Sequence, residues 1–399
     1  MLAWRRAGRV LAGVAALAAL AVVGVIGYRV LAPTETLDRA EGPYPPRVDA
    51  PFLRIGVLTS APLVVDNRIR VYAEKGRVWS DSPVDSRTQL SPFWAYRRWP
   101  AQVVGVVAVE SGPVVVTRWS DGALVALDAR TGRIAWRATG PAPDVAHYTG
   151  RRTGSSTVYE PDGLYTAGSA VVVYGHRTAR AYDAATGSPL WTVNDTCDGW
   201  TNTTMYLAAC GDTLTVIDAR TGRQSGSRRP APGGTVTPWG CALGRSGCQL
   251  IEARARDGHA SEWQLGTDGG IDPEPHARSA MDLVLGDAIV ESIPDRYVAL
   301  VDRRTGDRRW TVPLPGYVIG ADERGVYAVT RNFNLMVFDP RTGQEIARLG
   351  LRGLDTRDWT AGHVYLHDGY VAVERLTGKP RDGDDRYYYG ATPVVLAGV

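Results

Sequence analysis

Short apolar runs separated by polar turns recur through the chain after about residue 55. Typical runs are Ala123–Leu127 and Leu335–Phe338, which are four or five residues long and end at an Asp. Runs of this length and character, bounded by Asp, Asn and Gly, are typical of β-strands rather than helices. The pattern therefore predicts an all-β domain built from many short strands.

A short motif, Asp-x-x-Thr-Gly, follows many of these runs, often with a Trp eight positions after the Asp. In a tight turn the Asp carboxylate accepts backbone N–H groups, the Thr hydroxyl adds a weaker bond, and the Gly supplies a positive φ. The motif thus predicts the turn between the third and fourth strands of a four-stranded sheet, with the Trp packing against the neighbouring sheet. The copies are Asp128, Thr131, Gly132 and Trp136; Asp183, Thr186, Gly187 and Trp191; Asp218, Thr221 and Gly222; Asp302, Thr305, Gly306 and Trp310; Asp339, Thr342 and Gly343; and a decayed copy, Glu374–Gly378.

A second series of turns, rich in Asp, Asn and Gly, is predicted to precede each third strand. Eight such turns follow residue 51, which gives units of a little over forty residues, the size of a propeller blade. We therefore predict a β-propeller of eight four-stranded blades, or of seven if the N-terminal unit only completes another blade. The turns lie at Asp66-Asn67, Asp121-Gly122, Gly175-His176, Gly211-Asp212, Asp257-Gly258, Pro294-Asp295, Asn332 and Asp368-Gly369.

The repeated Asp-x-x-Thr-Gly-x-x-x-Trp after an apolar strand resembles the repeat of quinoprotein-type (PQQ-like) β-propellers. That family includes PQQ-dependent dehydrogenases, which use PQQ and Ca²⁺, and the non-enzymatic propeller lipoprotein of the outer-membrane assembly machinery. The resemblance is closer to the latter, because this chain has no two adjacent Cys and no Cys-x-x-Cys-His motif for haem. It implies a protein that is not an enzyme and has no expected cofactor, with a PQQ-dependent oxidoreductase as one alternative.

The N-terminal region has a different composition from the propeller. Residues 1–9 are basic, and 10–28 form an uncharged run of nineteen residues, enough for a helix of about 28 Å that spans a bilayer. Residues 29–52 are rich in Pro and predict an extended linker, leaving 53–399 as the propeller domain. The basic flank favours a cytoplasmic N-terminus, so we predict a single-pass signal anchor in the cytoplasmic membrane with an extracytoplasmic, bacterial propeller. A cleaved signal peptide and secretion is the alternative.

The four cysteines form two close pairs, and an exported domain favours disulfides over a metal site. Spacing favours the local pairing, Cys197 with Cys210 and Cys241 with Cys248. The net charge of +3 includes three arginines of the N-terminal flank, so the propeller is nearly neutral. A nucleic-acid partner, which requires a marked basic patch, is therefore not expected.

No set of residues has the spacing of a catalytic or metal site, and we predict none. Aromatic and Arg side chains in connecting segments are instead typical of a binding face on a propeller rim. Two long connections, 82–101 and 138–161, are the best candidates. They predict a protein-binding or scaffolding module with an envelope protein partner; a sensor for a small ligand or glycan is the further alternative. The candidate contact residues are Trp94, Tyr96, Arg97, Arg98, Trp99, Tyr148, Arg151 and Arg152.

Overall fold

A computed structural model gives the fold of the chain. The residues it describes are 32–48, 54–58, 60–85, 92–109, 112–150, 156–159, 161–194, 199–203, 205–210, 214–228, 235–245, 248–254, 257–265, 271–273, 276, 282–352, 359–376 and 394–398. Strands form eight antiparallel sheets, and the first strands of neighbouring sheets contact one another around a central channel. The protein is an eight-bladed β-propeller, as the repeat predicts, and among the described residues Ser156–Tyr159 form one turn of helix, α1.

Each blade is a meander of four strands that runs from the channel to the rim. Blade 1 contains β3 (Leu63–Val65), β4 (Ile69–Glu74), β5 (Arg77–Asp81) and β6 (Trp94–Trp99). Blade 2 contains β7 (Val103–Val109), β8 (Val114–Trp119), β9 (Ala123–Asp128) and β10 (Ile134–Thr139). Blade 3 contains β11 (Leu164–Ala167), β12 (Ala170–Gly175), β13 (Thr178–Asp183) and β14 (Pro189–Asn194). Blade 4 contains β15 (Gly199–Asn202), β16 (Tyr206–Cys210), β17 (Leu214–Asp218) and β18 (Gln224–Arg228).

The second half of the ring repeats the plan. Blade 5 contains β19 (Thr235–Arg245), β20 (Cys248–Arg254), β21 (Ala260–Leu265) and β22 (Ile271–Pro273). Blade 6 contains β23 (Leu283–Leu285), β24 (Ala288–Ile293), β25 (Tyr297–Asp302) and β26 (Arg308–Pro313). Blade 7 contains β27 (Gly316–Asp322), β28 (Gly325–Thr330), β29 (Asn334–Phe338) and β30 (Glu345–Gly350). Blade 8 contains β31 (Thr360–His367), β32 (Tyr370–Leu376), β33 (Val394–Gly398) and, from the N-terminal side, β2 (Arg54–Leu58).

The ring is closed by the two ends of the propeller domain. Strand β2 pairs antiparallel with β33, so that Val57 lies opposite Val395 at the rim of blade 8. The N-terminal unit therefore does complete the last blade, yet it also supplies all four strands of blade 1. For this reason the count is eight, and the seven-bladed alternative is wrong.

Part of the predicted linker packs on the propeller. Strand β1 (Thr34–Asp38) pairs antiparallel with β6 and adds a fifth strand to blade 1. The chain then crosses the turns at one end of the blades, where Ala40 N–H donates to Thr131 O at 3.0 Å and Val48 N–H donates to Asn67 O at 2.9 Å. Residues 34–48 of the predicted extended linker, 29–52, are therefore part of the propeller structure, and the prediction is wrong for them. The predicted membrane helix, 10–28, lies outside the described residues, and within them no helix is long and apolar enough to cross a bilayer.

The second turn series precedes the third strand in blades 2, 3, 5, 6 and 7, and it precedes the second strand in blades 1 and 8. The turn predicted at Gly211-Asp212 lies outside the described residues. The Asp66-Asn67 turn joins the first and second strands of blade 1, and Asp368-Gly369 does the same in blade 8. Asp66 and Asn67 both adopt a positive φ, 57° and 52°, as a two-residue hairpin requires. Because this turn chemistry suits any hairpin, the sequence cannot tell which pair of strands it joins. The decayed motif that begins at Glu374 likewise starts within the second strand of blade 8, not at the end of a third strand.

The Asp-x-x-Thr-Gly motif closes its turn and contacts a Trp side chain of the neighbouring blade. In blade 3, Asp183 Oδ1 accepts the Thr186 N–H at 2.8 Å, and the Gly187 N–H donates to Asp183 O at 2.8 Å. Trp136 of blade 2 lies against Gly187 and donates its indole N–H to Ala184 O at 2.8 Å. The motif therefore links blade 3 to blade 2. The other indole-to-carbonyl bonds of this kind are Trp94 to Ala129, Trp191 to Ala219 and Trp310 to Pro340, at 2.9, 3.1 and 2.9 Å.

Candidate functional site

Two of the predicted contact residues are buried between blades. Trp94 and Tyr96 are both 0 % exposed. Tyr96 meets Trp119 of blade 2 edge to face, with 5.6 Å between ring centroids, and Trp94 takes the place in blade 1 that the repeat Trp takes in later blades. Neither side chain can reach a partner from the folded blade, so their assignment to a binding surface is wrong. The local sequence does not mark Trp94 as an interblade residue, because β6 follows a long connection rather than an Asp-x-x-Thr-Gly turn.

The Arg98 side chain forms a contact between two blades. Its guanidinium forms two hydrogen bonds with Asp121, of 3.0 and 2.9 Å, and lies over the Trp119 ring at 5.3 Å from the ring centre. Burial is the largest single effect and raises the pKa of Asp121, but the Arg98 hydrogen bonds, the Ala123 N–H and the charge of Arg98 together outweigh burial and hold that pKa below its usual value. Arg98 therefore holds blade 2 against blade 1, and its charge is already paired within the propeller.

The remaining predicted residues are divided between surface and interior. Arg97 is exposed, and Trp99 is 54 % exposed at the end of β6. Tyr148 is half-buried: its hydroxyl donates to Ala73 O at 2.9 Å, and burial raises the pKa of that hydroxyl to about 12. Arg151 and Arg152 lie outside the described residues.

Tyr148 brings the second connection beside the first. Its backbone N–H donates to Gln102 Oε1 at 3.0 Å, three residues beyond Trp99. Val145, in the same connection, is 44 % exposed, and His147 is also exposed. We name the exposed side chains of Arg97, Trp99, Val145 and His147 the insertion surface. Val145 could not be predicted as a surface residue of interest, because one apolar residue in a loop belongs to no periodic pattern.

A buried arginine fixes the path of the second connection. Arg118 is 1 % exposed and donates to Gly163 O at 2.7 Å and to Pro141 O at 3.1 Å. Burial without a carboxylate at hydrogen-bond distance lowers the pKa of this guanidinium to about 10. Because Arg118 donates hydrogen bonds near both ends of the connection, at Pro141 and Gly163, each end is attached to blade 2.

The same connection carries a residue into the central channel. Helix α1 contacts the first strands of blades 2 and 8, and Tyr159 is buried there with its hydroxyl donating to Ala61 O at 3.0 Å. Beside Tyr159 lies a cavity of about 540 Å³. Its wall is formed by the first strands of blades 1, 2, 3, 4 and 8 together with Arg47 of the N-terminal segment and Arg130. Spacing along the chain could not reveal this cavity, since its lining comes from distant blades.

The cysteine prediction is confirmed for one pair. Cys241 and Cys248 lie opposite each other in β19 and β20 and form a disulfide. Cys197 lies outside the described residues, so the second predicted pair, with Cys210 in β16, stays a prediction. Within the described ranges, no three His, Cys, Asp or Glu side chains are grouped as metal ligands.

Several solved structures match most of the chain at low sequence identity. BamB from Moraxella catarrhalis is 19 % identical, with 88 % of this chain and 96 % of that chain covered and a TM-score of 0.43. Sqt1 from Saccharomyces cerevisiae is 13 % identical, with 88 % of this chain and 98 % of that chain covered and a TM-score of 0.44. The C-terminal WD40 domain of Sif2 is 11 % identical over the same shares, with a TM-score of 0.48. No curated protein sequence matches the chain.

A family model matches the repeat region directly. The model described as "Outer membrane protein assembly factor BamB" matches residues 91–173 and 161–317, which together make up more than half of the chain. These ranges contain four of the Asp-x-x-Thr-Gly turns and the indole contacts that join blades 1 to 4. The chain therefore belongs to the PQQ-like propeller family described as outer membrane protein assembly factor BamB.

Proposed function

We propose that this protein is a protein-binding scaffold of the cell envelope and that it contacts its partner through the insertion surface. The observation that carries the proposal is the exposure of Trp99, at 54 %, beside a connection anchored to the propeller through Gln102 and Tyr148. The family description names an assembly factor for outer membrane proteins, which supports a protein as the partner.

The insertion surface has the composition of a protein contact. Trp and Arg are enriched among the residues that contribute most to protein binding, and Trp99 and Arg97 supply one of each. Exposed large apolar side chains are few within the described ranges, and two of the five, Trp99 and Val145, lie on the two segments that Gln102 joins. Since both segments are already held by hydrogen bonds, little conformational entropy is lost when a partner binds.

Membrane anchoring by residues 10–28 is part of the proposal. The first described residues support it by position, because Thr34 pairs with Trp99 and so the chain enters the propeller at the insertion surface. An anchor that ends at Tyr28 leaves five residues, 29–33, before Thr34, so at most about 20 Å of extended chain separates Tyr28 from Thr34. The propeller would therefore be confined near the membrane, where partners reach a high effective concentration.

Crosslinking in intact cells, followed by capture from membranes and mass spectrometry, tests the proposal. Trp99→Ala is expected to reduce the recovered partner by at least tenfold, since loss of an interface Trp typically costs about 2 kcal/mol or more. Ile346→Ala is the matched control, because Ile346 is 47 % exposed on the outer strand of blade 7. The control is expected to recover the wild-type amount.

Fractionation of the same cells tests the anchor. The full chain is expected with the membranes, and a chain lacking residues 1–31 in the soluble fraction.

In the crosslinking experiment, equal partner recovery by Trp99→Ala and Ile346→Ala would exclude the insertion surface as the contact site. Recovery of no partner with the wild type would exclude the scaffold.

A further inference from the structure

The outer edge of blade 1 is covered by β1, a strand of the N-terminal segment. We propose that β1 covers this edge only in the unbound protein, and that an extended segment of the protein partner replaces it by pairing with β6. This binding mode rests on the proposed function: it specifies how the partner binds beside Trp99 and what limits that binding. Three features support it, namely the plan of the blades, the side-chain contacts of β1 and the attachment of the chain that follows β1.

Strand β1 is additional to the plan that the other blades follow. Among the described residues, blades 2 to 8 have four strands each, whereas β1 adds a fifth to blade 1 by pairing with β6 over five residues, with Thr34 opposite Trp99. Without β1, blade 1 would keep the four strands that complete every other blade. Its outer edge would then present unpaired backbone N–H and C=O groups, which pair readily with an extended chain.

Little side-chain burial holds β1 in place. Four of its five residues are exposed, and Leu37 is the half-buried one, packed against buried side chains of the core. Segments with few buried apolar contacts and solvent-exposed backbone hydrogen bonds open at the lowest free energies. Detachment of β1 should therefore require much less free energy than unfolding of a blade.

One ion pair selects which segment can lie on this edge. Arg137 of blade 2 donates two hydrogen bonds to the Glu35 carboxylate, and Arg98 Nε lies 4.0 Å from the same carboxylate. Glu35 and Leu37 are two positions apart and so lie on one face of the strand. Because these two side chains make the contacts of β1, the partner segment is expected to carry an acidic residue two positions before an apolar one.

The chain after β1 keeps a detached strand close to its site. Ala40 N–H donates to Thr131 O at 3.0 Å, and Arg68 donates to Pro45 O at 2.6 Å. A detached β1 would therefore stay at a high effective concentration and compete with a partner segment. The apparent Kd of that segment is its intrinsic Kd divided by the fraction of molecules in which the edge is open. A change that loosens β1 should thus lower the apparent Kd.

A synthetic peptide of residues 33–40, acetylated, amidated and fluorescently labelled, is the probe for this edge. Fluorescence anisotropy with the purified full chain should show saturable binding. Glu35→Gln in the chain is expected to lower the apparent Kd about two- to fivefold, because one exposed ion pair no longer holds β1. Asp38→Asn is the matched control: it removes the same charge from the same exposed strand, and the Asp38 carboxylate forms no hydrogen bond or ion pair within the described ranges. It should leave the apparent Kd unchanged.

The same peptide with Glu35→Gln tests the ion pair from the side of the ligand. It is expected to bind the Glu35→Gln chain about two- to fivefold more weakly than the unaltered peptide does. Arg137→Gln in the chain should remove this difference between the two peptides, since Arg137 is the arginine that bonds to the carboxylate.

Two results of the peptide experiment would overturn the proposal: no saturable binding up to millimolar concentration, or equal binding by the Glu35→Gln and Asp38→Asn chains. In the crosslinking experiment, Glu35→Gln is expected to recover more partner than Asp38→Asn. A partner that is lost with Trp99→Ala but recovered equally by these two variants would leave the scaffold in place and exclude the replacement of β1.

Discussion

The contact between Trp136 and Gly187 offers a direct test of how the blades are joined. Gly187 has a φ of +72°, and a Cβ atom there would lie 2.6 Å from Cδ2 of Trp136. Gly187→Ala therefore meets two penalties: about 1–2 kcal/mol for a left-handed alanine and about 1–3 kcal/mol for overpacking against the indole. The free energy of unfolding is expected to fall by about 2–5 kcal/mol in total.

Gly286→Ala separates these two terms. Gly286 also has a positive φ, +57°, but nothing lies within 4 Å of the Cβ position. Its substitution is expected to cost only the backbone term, about 1–2 kcal/mol. Equilibrium unfolding in urea, monitored by tryptophan fluorescence, measures both variants.

The Trp136→Ala background completes the experiment. Removal of the indole opens space at Gly187, so Gly187→Ala should there cost no more than Gly286→Ala does. A double-mutant cycle would report this as a coupling free energy of about 1–3 kcal/mol. If Gly187→Ala costs the same with and without the indole, the contact does not constrain this glycine, and the account of how blades are joined is refuted.

Two further predictions concern ion pairs. Arg70 and Asp81 in blade 1 are both 0 % exposed and joined by two hydrogen bonds of 2.7 Å. Asp81→Asn leaves a buried guanidinium charge uncompensated, so we expect it to lower the free energy of unfolding, measured by urea denaturation, by about 3–5 kcal/mol. Asp287→Asn, which breaks an exposed ion pair, should change that free energy little. Hydrogen bonds from Arg309, and then from the Thr305 N–H, lower the pKa of Asp302 from 3.8 to about 2. Because this pKa is depressed in the folded state, the stability it contributes is present above pH 4 and is lost as the pH falls toward 2. Carboxyl-carbon NMR titration should find the Asp302 pKa near 2 in the wild type and nearer 3.8 in Arg309→Gln, and an unchanged value in that variant would contradict the assignment.

Local sequence was sufficient for the blade plan because the repeat carries its own turn chemistry. The Asp128, Asp183 and Asp218 motifs each lie between the third and fourth strands, where their Asp, Thr and Gly are all needed to close one turn. The prediction of eight blades came from the second series of turns, which occurs eight times after residue 51. The local disulfide between Cys241 and Cys248 was predictable for the same reason, since seven residues allow little besides a hairpin.

Features that depend on contacts between distant residues could not be predicted from the sequence. Whether Trp94 is a surface anchor or an interblade residue depends on Ala129, thirty-five positions away in the next blade. The docking of 34–48 depends on an open edge of blade 1, and a Pro-rich composition does not reveal that edge. The insertion surface arises because Gln102 and Tyr148 are brought together across forty-six residues.

The amino-acid sequence by itself thus determined the repeated unit and its turns, because hydrogen bonds within a few residues specify both, and it limited the number of blades to eight or seven. Only the tertiary structure decided which aromatic side chains are exposed, how the ring closes through β2 and β33, and that a cavity lies in the channel. Those features are made by residues from different blades. Their burial and charge depend on the radial packing of the whole ring, which no local pattern encodes.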